Sequence, residues 1–390
     1  MSVFVEGVGA ISPVGPNAEQ TWIALCNGDE APRGVMPQPM ADRAYYCCSV
    51  PSKFLSEAAR HPRLRRSGTI SLLGTAASLD ALADAGLKQS KELGIRIAVV
   101  FAICSGGVNY TRRFYDEIAR GGANSASPLL FPETVFNAAA SHVAALLGVD
   151  GQSYTLVGDS SIGLSAIHFG CQLLEMQPEL EHCLVVGTEE TDWLLADAFA
   201  SWRMAERARR FEVYGKKSGT VFGEGSAAIV LGRSGTTKIA NSHPGQSFFS
   251  IQEAGEVALQ LFPTIAGSEP VDFIVASANG TFADEAEQRV FSTAFPATPV
   301  YCPKPAIGES LGASTLFQTV CAVLALRHQK LPGTLQAGWK LASANRETRT
   351  IDASRAFVSA IGFNQQVNGL VLGHSKQSAN NANSTGSASN

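Results

Sequence analysis

A hydroxyl poised at the start of a helix is the first chemical feature of this chain. In Thr155–Ile167, TLVGDSSIGLSAI, a β run ends in small polar residues and a helix begins at once. Ser160 falls where unsatisfied backbone N–H groups and the helix dipole favour an anion. Ordinary capping explains the same residues, since Asp159, Ser160 and Ser161 are all good N-cap types. On the local sequence alone, capping is the plainer account. A serine used as a nucleophile also needs a base, because its hydroxyl is far less acidic than a thiol. His168 lies two helical turns beyond Ser160, about 12 Å along the axis, too far to serve. His142 reads as a hydrogen-bonded core residue; His61, His182, His243, His328 and His374 read as surface or turn positions. No metal-ligand spacing stands out, and no cofactor is expected. A dinucleotide site at Gly7–Pro13 fails, since no G-x-G-x-x-G precedes a helix there.

The elements that must carry Ser160 alternate between strand and helix. Val3–Val8, Ile97–Ile103, Ser153–Val157, Cys183–Gly187 and Ser226–Gly232 read as strands. Thr69–Leu87, Asn137–Leu147 and Ile162–Met176 read as helices between them. The stretch 234–248 is polar, with Gly, Thr and Pro, and reads as a boundary. Beyond it the pattern resumes with a strand at Phe273–Ala276, a helix start at Asp284–Phe291 and a helix at Ser314–Arg327. A hairpin of Arg355–Ile361 and Gly369–Gly373 closes it. The end, 375–390, is low in complexity, too polar to bury and expected to be disordered. Strands separated by helices imply an α/β fold, a mainly parallel or mixed sheet covered on both faces.

Composition narrows the partners. Of 390 residues, 45% are hydrophobic and only 16% charged, the profile of a large core with hidden interface. The net charge of −4 favours neither nucleic acid nor an anionic membrane surface. Apolar runs such as Ile97–Cys104 are about half the length of a membrane span, and Met1–Gly9 reads as a strand rather than a targeting segment. Eight cysteines without paired CxxC spacing point to a reduced cytoplasm. Two basic stretches stand out: Arg63, Arg65 and Arg66, and Arg203, Arg207, Arg209, Arg210, Lys216 and Lys217. A solvated face or interface ion pairs is the plainer reading of both.

Taken in order, several segments resemble the β-ketoacyl-acyl-carrier-protein synthases of the thiolase superfamily. Thr155–Ile167 is similar to that family's nucleophile elbow, T-V-x-T-A-C-[AS]-[TS]-G-x-x-A-I, with Ser160 where the catalytic cysteine belongs. Gly7–Gly15 resembles the opening G-x-G-x-x-[ST]-P-x-G, and Ala81–Leu87 the helix ending that follows. Asn137–Val143 resembles N-x-A-A-G-H-[VI], with Ser141 for glycine. Gly187-Thr188-Glu189 and Phe222-Gly223-Glu224-Gly225 match further signatures. The resemblance spans about residues 3 to 373.

It implies a five-layer α-β-α-β-α thiolase-like fold of two similar halves, taken as 1–235 and 236–374, dimerised through the first. It also implies a catalytic triad that this chain lacks. The first family histidine opens an H-G-T motif, and Asn279-Gly280-Thr281 stands there. The second lies in K-x-x-x-G-H, where Lys304 is kept and Glu309 replaces histidine. Asn279 cannot become a cation, and a carboxylate at 309 has the wrong sign beside an enolate. Gly362-Phe363-Asn364 resembles the G-F-G loop that completes the oxyanion hole. Glu309 is expected to be a fixed polar plug held by Lys304 or backbone donors; the alternative is a base for Ser160 in an acyltransferase or thioesterase. The leading expectation is a non-condensing subunit like the chain-length factors of polyketide and aryl-polyene systems. Those proteins also lose the nucleophile, commonly to glutamine. Its partner would be an active ketosynthase in a heterodimer, with a homodimer as the other possibility. Family members dock acidic acyl carrier proteins, which gives the basic stretches a second reading.

Overall fold

Ile97–Ile103 is apolar at every position, and the structure shows why: both faces of this strand are covered. Ala98, Val100 and Ala102 enter one hydrophobic core, while Ile97, Val99, Phe101 and Ile103 enter another. The structure, a computed structural model, describes residues 2–36, 44–205, 211–216 and 218–375. The low-complexity end from 376 lies outside the described residues, as do Arg207, Arg209, Arg210 and Lys217.

Ten strands run across the main sheet. The first half supplies β1 (Phe4–Ile11), β2 (Ile97–Ile103), β3 (Ser153–Val157), β4 (His182–Glu189) and β5 (Gly225–Gly232). The second supplies β6 (Thr237–Ser242), β7 (Phe273–Val275), β8 (Val300–Tyr301), β9 (Arg355–Ile361) and β10 (Gln366–His374). The order is β8-β7-β9-β10-β6-β1-β5-β4-β2-β3, with Gln246–Ser247 added against β10. Each half therefore runs third, second, fourth, fifth, first. The pairing senses repeat as well. In each half the second strand lies parallel to the third and fourth, and the remaining two pairings are antiparallel. Within the main sheet the halves meet along β1 and β6, where Phe4 faces Lys238 and Val5 faces Thr237.

That narrow seam leaves the two half-sheets facing each other across a pair of helices. Helices α1 (Thr69–Asp84), α2 (Val108–Gly121), α3 (Ala138–Leu147), α4 (Ile162–Met176) and α5 (Trp193–Ser201) belong to the first half. The second contributes α6 (Ala254–Ala266), α7 (Phe282–Ala294) and α8 (Ser314–His328). Helix α8 is buried at every residue from Ser314 to Leu326, as a helix covered on all sides must be. It shares the central core with α4 and with strand residues of both halves, such as Val185, Ile229, Val358 and Leu370. Helices α1 and α3 cover the outer face of one half, and α6 and α7 that of the other. The layers are thus α-β-α-β-α, the thiolase-like arrangement.

The polar stretch 234–248 is more than a connector. It holds β6, which alternates buried Thr237 and Ile239 with exposed Lys238 and Ala240, a strand covered on one side. No helix among the described residues is long and apolar enough to cross a membrane.

Candidate active site

Two equivalent strand-to-helix turns, one from each half, build the site. In the first, β3 ends at Val157, and Gly158–Ser161 lead into α4. Ser160 is 1% exposed, and its Oγ has no hydrogen-bond partner. The capping account therefore does not describe Ser160, and α4 has no side-chain cap; Asp159 ties the turn that precedes the helix. Asp159 Oδ1 accepts from the Ser161 backbone N–H at 3.0 Å and the Ser161 hydroxyl at 2.8 Å. Its Oδ2 accepts from the Asn364 N–H at 2.5 Å. This carboxylate thus lies between the elbow and the Gly362–Asn364 loop. A Cβ on Gly362 would sit 2.1 Å from Asp159 Oδ2, so only glycine allows this approach.

In the second half, β8 leads through Lys304–Ile307, a single helical turn, to Glu309 and then α8. Lys304 and Glu309 form a buried salt bridge, Nζ to Oε2 at 2.7 Å, with side chains 2% and 0% exposed. Lys304 also donates to the Ser277 carbonyl at 2.8 Å. Glu309 Oε1 accepts from the Leu311 N–H at 3.0 Å and from the Ser314 hydroxyl, and Asn279 Nδ2 reaches Oε2 at 3.4 Å. The backbone of Glu309 is clamped too, since Glu309 N–H donates to Val221 O and Gly223 N–H to Glu309 O. The Phe222–Gly225 signature therefore positions Glu309. Asn279, Lys304 and Glu309 lie together in the structure, and both oxygens of Glu309 are hydrogen-bonded by Lys304, Asn279, Leu311 and Ser314. Neither its hydrogen bonds nor those of any histidine among the described residues include Ser160.

Asn279 is held from behind. Asp284 accepts from the N–H groups of Asn279 at 2.7 Å, Gly280 at 2.9 Å and Tyr214 at 2.7 Å. Burial pushes its carboxyl up to about 7, against the pull of those donors. Glu287 ties Ser277 N–H, the Ser277 and Ser359 hydroxyls and the Tyr214 hydroxyl to one carboxylate.

Further carboxylates line the first half's side. Glu189, from the Gly187-Thr188-Glu189 signature, accepts from Cys104 N–H at 2.9 Å, Ser105 N–H at 3.0 Å, Gly312 N–H at 3.2 Å and the Ser105 hydroxyl. Burial raises it to about 7, while these donors favour its charged form. Glu190, also raised to about 7 by burial, accepts from Asn109 N–H and leaves Oε2 without a partner. Cys104 packs with Phe199, Phe222, Leu311 and Phe363. Burial, then Glu189, Asp159 and Glu309, push its thiol up, so it is no thiolate nucleophile. Phe363 meets Phe199 edge-on at 5.0 Å. Sequence reasoning missed the role of Asp159 and the place of Cys104 in this cluster. The acid at the start of α4 was the only local signal.

His142 pairs with Glu133 at 2.6 Å, hydrogen-bonded as expected but 26% exposed rather than fully buried. His182, read as a surface or turn residue, lies in β4 and pairs with Glu6 at 2.7 Å. No cluster of potential metal ligands occurs among the described residues.

Comparison with known proteins agrees with this fold. Residues 1–236 match the family model "Beta-ketoacyl synthase, N-terminal domain", and 230–337 match "Beta-ketoacyl synthase, C-terminal domain". The 3-oxoacyl-[acyl-carrier-protein] synthase 2 of Coxiella burnetii is 24% identical, over 95% of this chain and 98% of that protein. The ishigamide ketosynthase/chain length factor superposes with a TM-score of 0.83 at 20% identity, covering 96% of this chain and 99% of that one. A ketosynthase in complex with its chain length factor from Xenorhabdus doucetiae gives 0.77 at 19% identity, covering 96% and 98%. At such identities the structural matches speak for the fold alone.

Proposed function

We propose, from the premise that this chain belongs to the β-ketoacyl synthase family, that it is a non-condensing, chain-length-factor-like subunit working beside an active ketosynthase. The buried Lys304–Glu309 pair carries this reading. Decarboxylative condensation needs a nucleophile, and donors aimed at the charge that develops on the enolate. Here a carboxylate saturated by its own neighbours occupies one seat, Asn279 another, and a serine without a base the third. Glu309 is already committed to Lys304, Leu311 and Ser314, so its service as a base would dismantle the turn that holds it.

A partner is supported by what the first half leaves open. Strand β3 is an edge whose outer side pairs with nothing among the described residues, and Val157 is 51% exposed. Helix α2 buries none of its residues, and Tyr115, Leu129, Phe131 and Phe136 are exposed around it. An open strand edge beside apolar side chains suits a second chain of the same fold. The reading extends to an acyl carrier protein. Arg60, Arg63, Arg65 and Arg66 are exposed without an ion pair among the described residues, anchored by buried Leu64. Tyr110 reaches the Arg66 carbonyl and carries Arg113 over its ring, which extends the basic face. The pathway would be fatty acid, polyketide or aryl-polyene synthesis, and the two halves are divided at 235/236.

Affinity capture of the tagged chain from its host, with native mass of the product, tests this. Stoichiometric recovery of a ketosynthase with cysteine and two histidines is expected. Recovery of a homodimer alone would sink the reading. The serine-dependent acyltransferase or thioesterase keeps one observation in its favour, the unengaged Ser160 hydroxyl. Intact mass after incubation with acyl thioesters decides it: no adduct, and hydrolysis unchanged in Ser160→Ala, ends that alternative.

A further inference from the structure

We propose that Asp159 is a latch that holds the Gly362–Asn364 loop of the second half closed over Ser160. Four residues, Gly362 to Gln365, join β9 to β10, and they wall the elbow at Asp159 through Gly362 and Asn364. Asn364 and Gln365 face solvent, while Ser160 beneath is 1% exposed. Across this wall, the carboxylate of Asp159 takes one backbone N–H from the elbow, at Ser161, and one from the loop, at Asn364. Each of its oxygens thus grips a different half of the molecule. Gly362 lies directly on that carboxylate, with no room for a methyl group. Ser161 adds a contact from its hydroxyl to Gln366 Oε1 at 2.7 Å.

The remaining ties on the loop are weaker in kind. Phe363 rests edge-on against Phe199, Gly362 N–H meets Gln366 O at 2.8 Å, and Phe248 N–H meets Gln365 O at 3.0 Å. All are neutral. The charged acceptor is the strong bond of the set, since bonds to ionised groups are roughly twice as strong as neutral ones. Gln365 holds φ at +68°, a left-handed conformation that costs energy in a non-glycine residue. Without the carboxylate, the loop tip loses its main restraint and swings outward, taking Phe363 off the elbow. The latch stands on these contacts alone and does not depend on the partner reading.

A thiol placed at the elbow reports on the latch. In the full chain carrying Ser160→Cys, alkylation of that position by iodoacetamide is followed by peptide mass. It is expected to be slow, and to rise about ten- to a hundredfold when Asp159→Ala or Gly362→Ala is added, the factor that loss of a charge-assisted bond implies. Equal rates in all three proteins would overturn the proposal. Should those variants fold poorly, Asp159→Asn keeps the shape and removes the charge. Hydrogen exchange at the Asn364 amide is then expected to quicken about tenfold; unchanged protection there would equally reject the latch.

Discussion

The two halves repeat one strand order, yet they end their equivalent turns differently. In the second half, Glu309 is closed off locally by Lys304, Leu311, Ser314 and Asn279, all within the same half. In the first half, Asp159 borrows a donor 205 residues away, and the neighbouring Ser160 hydroxyl is left unengaged. The edge strands differ in the same sense. Strand β8 is covered by its own chain, with Val300 bonded to Ser343 and Asn345, whereas β3 stays open. The buried acids follow suit, since Glu287 has four donors and Glu190 keeps an oxygen without any. The second half leaves its acids and its edge satisfied, with Tyr214, Val221 and Gly223 lent by the first. The first half itself has loose ends of the kind an assembling partner or a mobile loop would use.

The largest effect that would break this contrast lies in the closed half. Glu309→Ala leaves Lys304 as a lone buried cation and is expected to cost about 3–5 kcal/mol in denaturant unfolding. Combining Lys304→Met with Glu309→Leu should recover part of this, because no uncompensated charge remains. A loss well under 1 kcal/mol for Glu309→Ala would mean the turn is not sealed.

Glu190 tests the open half through pH. Its carboxyl is raised from 4.5 to about 7, so the native state binds the extra proton and stability falls as pH rises through that window. Glu190→Gln removes this dependence. Its advantage over the parent should grow by about 2.5 kcal/mol between pH 5 and pH 8, at 1.36 kcal/mol per pKa unit. Parallel stability curves for the two proteins would contradict the assignment.

Two smaller effects sharpen the contrast further. Val157→Lys places a charge on the open edge and should weaken assembly at least tenfold, about 1.4 kcal/mol, with little change in monomer melting. Sedimentation at several concentrations reads it. Ser160→Ala removes a hydroxyl that bonds nothing, so stability should stay within about 0.5 kcal/mol and partner capture should be unchanged.

Much of the frame was legible in the sequence. Ile97–Ile103, Ser153–Val157, Ile162–Met176 and Arg355–Ile361 have in the structure the limits their patterns suggest. Each is apolar or periodic throughout and bounded by small or polar residues. Other elements hid for physical reasons. Strand β6 is half polar because one face meets solvent, and α6 carries Pro263 in its last turn, which reads as a break. The site divided the same way. Asn279, Lys304 and Glu309 could be placed by motif, since their spacing along the chain survives. The role of Asp159 could not, because its decisive donor belongs to the far end of the sequence.

The seam between the half-sheets also governs the order in which the chain can mature. Strand β1 is made first, but Phe4 finds its pairing partners only at Gly232 and Lys238. Val3 and Val5 share a core with Leu370 and Leu372. During synthesis the central layer stays incomplete until nearly the whole chain has emerged. Such long-range closure is slow, and it exposes apolar α4 and α8 meanwhile. A molecule built this way gains from meeting chaperones early, and a cut anywhere before β10 removes the wall that both halves share.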